Sequence, residues 1–176
     1  MQWYHNLKMG AKIISLLLMM AVFMSIVGIC GLYFTNKMSI EMNDMYKDYL
    51  LPVKWLNATR GQARAVEADV LEILNPGTDN TKIQRLQEDI LARTSETEKV
   101  LASYEQTNLE SYEKERLTAL KESLLGFRLE RQKAIDLAIS GKKTEGFVYY
   151  NQNAAAHADT INKLLTELAE FNAQRA

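Results

Sequence analysis

The sequence predicts an all-α protein: an antiparallel up-down four-helix bundle whose first helix is continuous with an N-terminal transmembrane helix. Three observations predict it. Ile13 to Phe34 runs without a charged side chain, apolar residues beyond it recur at alternating spacings of four and three, and the 176 residues include only two prolines and eight glycines.

At about 1.5 Å per helical residue the apolar run covers roughly 33 Å, close to a hydrocarbon core of about 30 Å. It is longer than the apolar region of a cleavable signal, no small-x-small site closes it, and Cys30 follows Ile29 rather than the small residue of a lipoprotein site. The run therefore reads as a retained anchor, giving a cytoplasmic N-terminus (1–12), a transmembrane helix (13–34) and an extracytoplasmic domain (35–176). Lys8 and Lys12 flank one side of the span and Lys37 and Lys47 the other, so basic residues barely set the orientation. The short, acid-free N-terminus favours placing it inside. Trp3, Tyr4, Tyr33 and Phe34 fall where interfacial aromatics sit. Ala21, Ser25 and Gly28 form a small-residue seam that suits either a second anchor helix or lipid.

All eight methionines lie at or before Met45, which sets the anchor region apart in composition. The net charge of −1 comes with no basic block, which argues against nucleic-acid binding. The single cysteine can form no internal disulfide.

The first helix is expected to continue from Thr35 to Leu74 on a stripe of Met38, Met42, Met45, Tyr49, Pro52, Leu56, Thr59, Ala63, Val66, Val70 and Ile73. Pro52 should bend it, and Asn75-Pro76-Gly77 should end it. A second helix follows from about Thr81 to Gln106, capped by Asp79, Asn80 or Thr81, with Ile83, Ile90, Thr94, Thr97, Leu101 and Tyr104 inward. Thr107 and Glu110 read as a capping box opening a third helix, which ends at Ser140-Gly141. Its stripe is Leu117, Leu120, Leu124, Phe127, Arg131, Ala134 and Ala138, with one charge inside it. The fourth helix, from about Thr144, uses Phe147, Tyr150, Ala154, His157, Ile161, Leu164, Leu168 and Phe171. Short turns between four such stripes make an up-down bundle.

Counting down from the Asn75 and Gly141 turns at about 1.5 Å per residue brings the polar exceptions to similar heights: Arg60, Arg64, Thr94, Arg128, Arg131, Tyr150, Asn153 and His157. Arg60 and Arg64 share a helix face, where guanidinium forks could receive a carboxylate, or pair with Glu67, Glu130 or a neighbouring bundle and only fix register. Arg131 on a core stripe needs a ligand, an acid or water to satisfy it, or must snorkel outward. His157 fits a hydrogen-bonded core histidine, and no metal site or cofactor is expected around it. Gly61 and Gly126, at one height, suit either a cavity or close helix contact. No nucleophile with a base, phosphate loop or metal cluster supports catalysis, so no enzyme is expected.

Lys8-Met-Gly-Ala-Lys12, Val27-Gly-Ile-Cys-Gly-Leu-Tyr33, Met45-Tyr46 with Leu50-Leu-Pro-Val53, and then Arg60 and Arg64 resemble the start of a methyl-accepting chemotaxis receptor. The Gly141 turn into a helix ending Phe171-Asn172 fits the same family. The resemblance implies a dimeric, extracytoplasmic ligand-binding bundle in the cell membrane, followed in the whole receptor by a second span and a signalling module. The chain is accordingly expected to be a fragment of such a receptor. Similar bundles precede histidine kinases and diguanylate cyclases, so the output is left open. By analogy, ligand contacts fall on Arg60 and Arg64 and on Tyr150, Asn153 and His157. Glu67 and Glu72 occur where some amino-acid receptors carry a further arginine, which points to a small organic or aromatic carboxylate rather than aspartate. Two rivals stand beside direct sensing. One is a structural or interaction bundle, and the other is indirect sensing through a partner protein at the Asn75 and Gly141 turns, which read as polar.

Overall fold

The computed structural model describes residues 8–175, so the expectations for Trp3, Tyr4 and His5 lie outside the described residues. Every described element is helical: α1 (Met9–Met45), a π-helical turn (Tyr46–Leu50), α2 (Leu51–Leu74), α3 (Asn80–Glu105), α4 (Ser111–Ile139), α5 (Lys143–Tyr149), a second π-helical turn (Tyr150–Ala154) and α6 (Ala155–Ala173). Backbone contacts divide the chain into two units between Asp44 and Met45.

The first unit is the apolar helix. No residue of α1 is buried, and large side chains such as Phe23 and Met24 are more than 60% exposed. A bare apolar surface of this length is what a hydrocarbon core covers. The hydroxyls of Ser15 and Ser25 donate to the carbonyls of Lys12 (2.9 Å) and Ala21 (2.8 Å), so both polar groups are satisfied within the helix, as lipid requires. Met38 and Met42, expected on a core stripe, are also exposed because no second helix runs beside them in this unit.

The second unit is the four-helix bundle, with α5, the second π-turn and α6 forming its last long helix. The predicted stripe of α2 is buried at Pro52, Leu56, Thr59, Val66, Val70 and Ile73. Ahead of Pro52 the backbone forms a π-turn, in which the Leu51 N–H reaches back to the Tyr46 carbonyl. The wider turn takes up the missing donor and bulky ring of the proline. Asp79 caps α3 by accepting from the Lys82 N–H at 2.8 Å.

The expected capping box shifts by one turn. Thr107 instead closes α3, its hydroxyl donating to the Tyr104 carbonyl at 2.8 Å, while Glu110 and Glu113 form the box that opens α4. At the other end of α4, Gly141 takes φ +86°, and the Lys142 N–H donates to the Leu137 carbonyl. That is a Schellman stop, and it requires the left-handed glycine.

The last helix differs most from its predicted stripe. Buried positions run Tyr150, Ala154, Ala158, Ile161, Leu164, Leu165, Leu168, Ala169 and Asn172, so Tyr150, Ala154, Ile161, Leu164 and Leu168 of the predicted stripe are buried as expected. His157 and Phe171 are only half-buried and Phe147 is exposed, its place taken by buried Gly146. The π-turn at Tyr150–Ala154 inserts an extra residue into one turn, so the helix after it also buries the neighbouring row of Ala158, Leu165, Ala169 and Asn172.

In the bundle α2 packs against α3 and α6, and α4 packs against α5 and α6. The consecutive helices α3 and α4 have almost no close backbone approach to one another. The bundle is thus tight on three sides and loose on the fourth.

Candidate ligand site at Arg131

Arg131 is carried inward by the α4 stripe and is 7% exposed. Its Nη2 donates to Thr94 Oγ1 on α3 at 2.9 Å, and its guanidinium lies 5.5 Å from the centre of the Phe127 ring. Among the described residues it forms no ion pair. Its neighbour Arg128 turns outward to Glu98 at 2.5 Å. Burial, then the nearby charge of Arg128, pushes the Arg131 guanidinium down to about 10, so it stays charged at neutral pH. A cation out of water with a hydroxyl and a ring face for company is under-compensated.

The cavity in front of it is about 20 Å³, lined by Ala63, Val66, Thr94, Leu124 and Ile161 among others. That is room for about one water, and Arg131 and Thr94 supply polar partners for it.

Behind the cavity, Phe127 meets the ring of Tyr150 edge-on at 6.4 Å between centroids. The Tyr150 hydroxyl donates to Glu67 Oε1 at 3.3 Å, and burial together with Glu67 pushes it above its ordinary range. The structure therefore joins Arg131, Thr94 and, through Phe127, Tyr150.

The other residues singled out in the sequence lie elsewhere. Arg60 spans α2 and α6, donating to Thr166 Oγ1 (3.0 Å) and Asn57 Oδ1 (2.8 Å). Arg64 is exposed and has no hydrogen bond or ion pair among the described residues. Neither acid weighed as their partner serves them: Glu67 holds Tyr150, and Glu130 accepts from Tyr149 (2.5 Å) and Lys133 (3.0 Å). The Tyr149 hydroxyl, then Lys133, holds the Glu130 carboxyl below its usual range. Asn153 is exposed and donates to the Tyr149 carbonyl in its own turn. His157 lies over Gly126, where a Cβ would come within 2.5 Å of its Cε1, so close helix contact explains that glycine. Gly61 faces open space.

One polar cluster went unread in the sequence. Glu113, 4% exposed, accepts from the Tyr104 hydroxyl (2.6 Å), Asn172 Nδ2 (2.9 Å) and the Glu110 N–H (2.9 Å). Asn172 Nδ2 also donates to the Tyr104 hydroxyl at 3.1 Å. Burial and the adjacent Glu113 push the Tyr104 hydroxyl far above its ordinary range. The signal was present, since Glu113 lies one step of four before Leu117 on the α4 stripe.

Comparison with curated proteins gives no match. Residues 6–176 match the family described as the four helix bundle sensory module for signal transduction, found in methyl-accepting chemotaxis proteins. With four packed helices, an apolar N-terminal helix and that match over nearly its whole length, the chain belongs to the four-helix-bundle sensory module family.

Proposed function

We propose that the chain is the sensing part of a membrane chemoreceptor, with its bundle outside the cell membrane, and that it detects a small carboxylate. The single observation that supports this is Arg131: a buried guanidinium with no acid, fronted by a hydroxyl and a small cavity. Arg131 and Thr94 receive the carboxylate, and Phe127 with Tyr150 forms the wall behind it. An incoming anion supplies the compensation the fold leaves out, so binding favours whichever helix arrangement closes on it. The signal passes through the last helix to an output module that the sequence does not identify. No step of this requires catalysis.

Arg60 and Arg64 belong, in this reading, to the face where a second copy packs along α2. Open space at Gly61 and an exposed Arg64 that has no partner among the described residues support such a homodimer. Asn153 and His157 then lie beside the site rather than in it.

The test is calorimetry on the full chain in lipid nanodiscs against acetate, succinate, benzoate and amino acids, with Arg131→Ala alongside. Saturable binding of one acid, lost in the variant while circular dichroism is unchanged, is the expected result. A silent panel sinks the carboxylate reading.

A second reading has its own observation. Beside Pro76, Leu71 and Phe147 are exposed by 37% and 47% and border an apolar hollow of about 370 Å³ with Leu74. The end of the bundle expected to be polar thus carries an apolar patch, which favours indirect sensing through a partner protein.

A further inference from the structure

The loose side of the bundle adjoins Arg131. Between α3 and α4 runs a groove of about 250 Å³ floored by Leu101, Leu124 and Leu125. It shares Leu124 and Arg128 with the small cavity at Arg131, so the two spaces are neighbours across those side chains. Two ion pairs cross it, Arg128 to Glu98 at 2.5 Å and Lys121 to Glu105 at 2.6 Å. Lys121, Glu105 and Glu98 are exposed and Arg128 half-buried, and pairs so open to water contribute little, so they strap the groove without sealing it. Leu125, on the groove's lining, is 59% exposed, an apolar side chain left in water.

We propose that this groove is the ligand's way in and the seat of its apolar part: the ligand is an amphipathic monocarboxylate, an aryl-alkanoic acid, with its carboxylate between Arg128 and Arg131 and its body along Leu101, Leu124 and Leu125. The inference rests on the carboxylate reading above and adds chain length and location to it. Charge decides the direction of binding. The uncompensated guanidinium of Arg131 lies in the adjoining cavity, behind Leu124 and Arg128, and matches a single carboxylate, whereas Glu98 and Glu105 on the groove are each paired with a cation, Arg128 and Lys121, and add no net charge. Size decides the class. A groove just under the roughly 300 Å³ at which ordinary ligand pockets begin takes one ring and a short chain. On arrival the carboxylate replaces Glu98 at Arg128, a surface partner exchanged for one that also reaches Arg131.

The experiment uses the full chain in nanodiscs, with protein-free nanodiscs subtracted, and titrates benzoate, phenylacetate, 3-phenylpropanoate and 4-phenylbutanoate. Affinity should rise about fourfold per methylene, the increment for burying a CH₂. Leu125→Asn should cut that increment below twofold while leaving benzoate unchanged, and Arg131→Ala should weaken all four more than tenfold. Acids that bind through Arg131 with no dependence on chain length overturn the groove and leave the carboxylate reading intact. A chain-length dependence that Leu125→Asn does not alter overturns the location. If no acid binds, or Arg131→Ala has no effect on binding, both readings fall together.

Discussion

Two charged side chains are buried on the same face of α4, about five helical turns apart by the usual 3.6 residues per turn, and the fold treats them in opposite ways. Glu113 is closed in. Tyr104 from α3, Asn172 from α6 and the backbone of its own cap all donate to it. Arg131 is left open, with one hydroxyl, one ring face and space for a water. A fully satisfied buried group ties helices together; an under-satisfied one stores affinity for whatever brings the missing charge. The difference separates a structural joint from a candidate receptor site within one bundle.

The comparison breaks most visibly at Glu113. Glu113→Ala leaves the Tyr104 hydroxyl and the Glu110 N–H without their acceptor, at about 1–3 kcal/mol for each group that stays buried, while Asn172 keeps the Leu168 carbonyl and the Tyr104 hydroxyl. We expect a loss of about 3 kcal/mol or more in urea unfolding. A loss below about 1 kcal/mol would mean that water replaces the carboxylate and the joint is not closed. Asn172→Ala removes one donor of the three and should cost about 1–2 kcal/mol by the same measurement.

At Arg131 the sign should reverse. Its folded value of about 10 lies below the ordinary guanidinium range, so the unfolded chain holds that proton more tightly. Stability rises as pH climbs between the two, and below about 10 the charged guanidinium costs the fold stability. Arg131→Met keeps the bulk and drops the charge. It should raise stability by about 1 kcal/mol in the same unfolding experiment, as apolar replacement of buried charge does elsewhere, and abolish ligand binding. A destabilisation comparable to that of Asn172→Ala would make Arg131 another joint.

Both regions show what can be read from spacing. The stripes of α2, α3 and α4 were legible because straight helices with short turns leave little beyond the four-three period to decide, and that period put Arg131 and Thr94 inward together. The last helix was legible only in part, because a π-turn leaves no mark in apolar spacing: the rows through Leu164 and Leu165 are both apolar and both buried, and the extra residue at Tyr150–Ala154 brings in the second. Height counting brought Arg60, Arg64, Asn153 and His157 to one level but said nothing about direction around the axis. They consequently lie on different faces, Arg60 bonded to Thr166 and His157 lodged on Gly126. Glu113 was missed because an acid at a helix start reads first as a cap, which it also is.

The smallest effect is the most discriminating, because it removes one hydroxyl from each region. Tyr104→Phe takes a donor from a buried acid, and should cost about 1–1.5 kcal/mol, the ordinary worth of such a bond. Thr94→Val takes the acceptor from Arg131, but the 20 Å³ space in front of it can hold a water that takes over the bond. Stability should change by less than about 0.5 kcal/mol, while the affinity for a bound acid falls several-fold because Thr94 no longer orients the guanidinium. Equal losses of stability in the two variants would show that Arg131 depends on its hydroxyl as Glu113 does on Tyr104, and the distinction between joint and site would go with it.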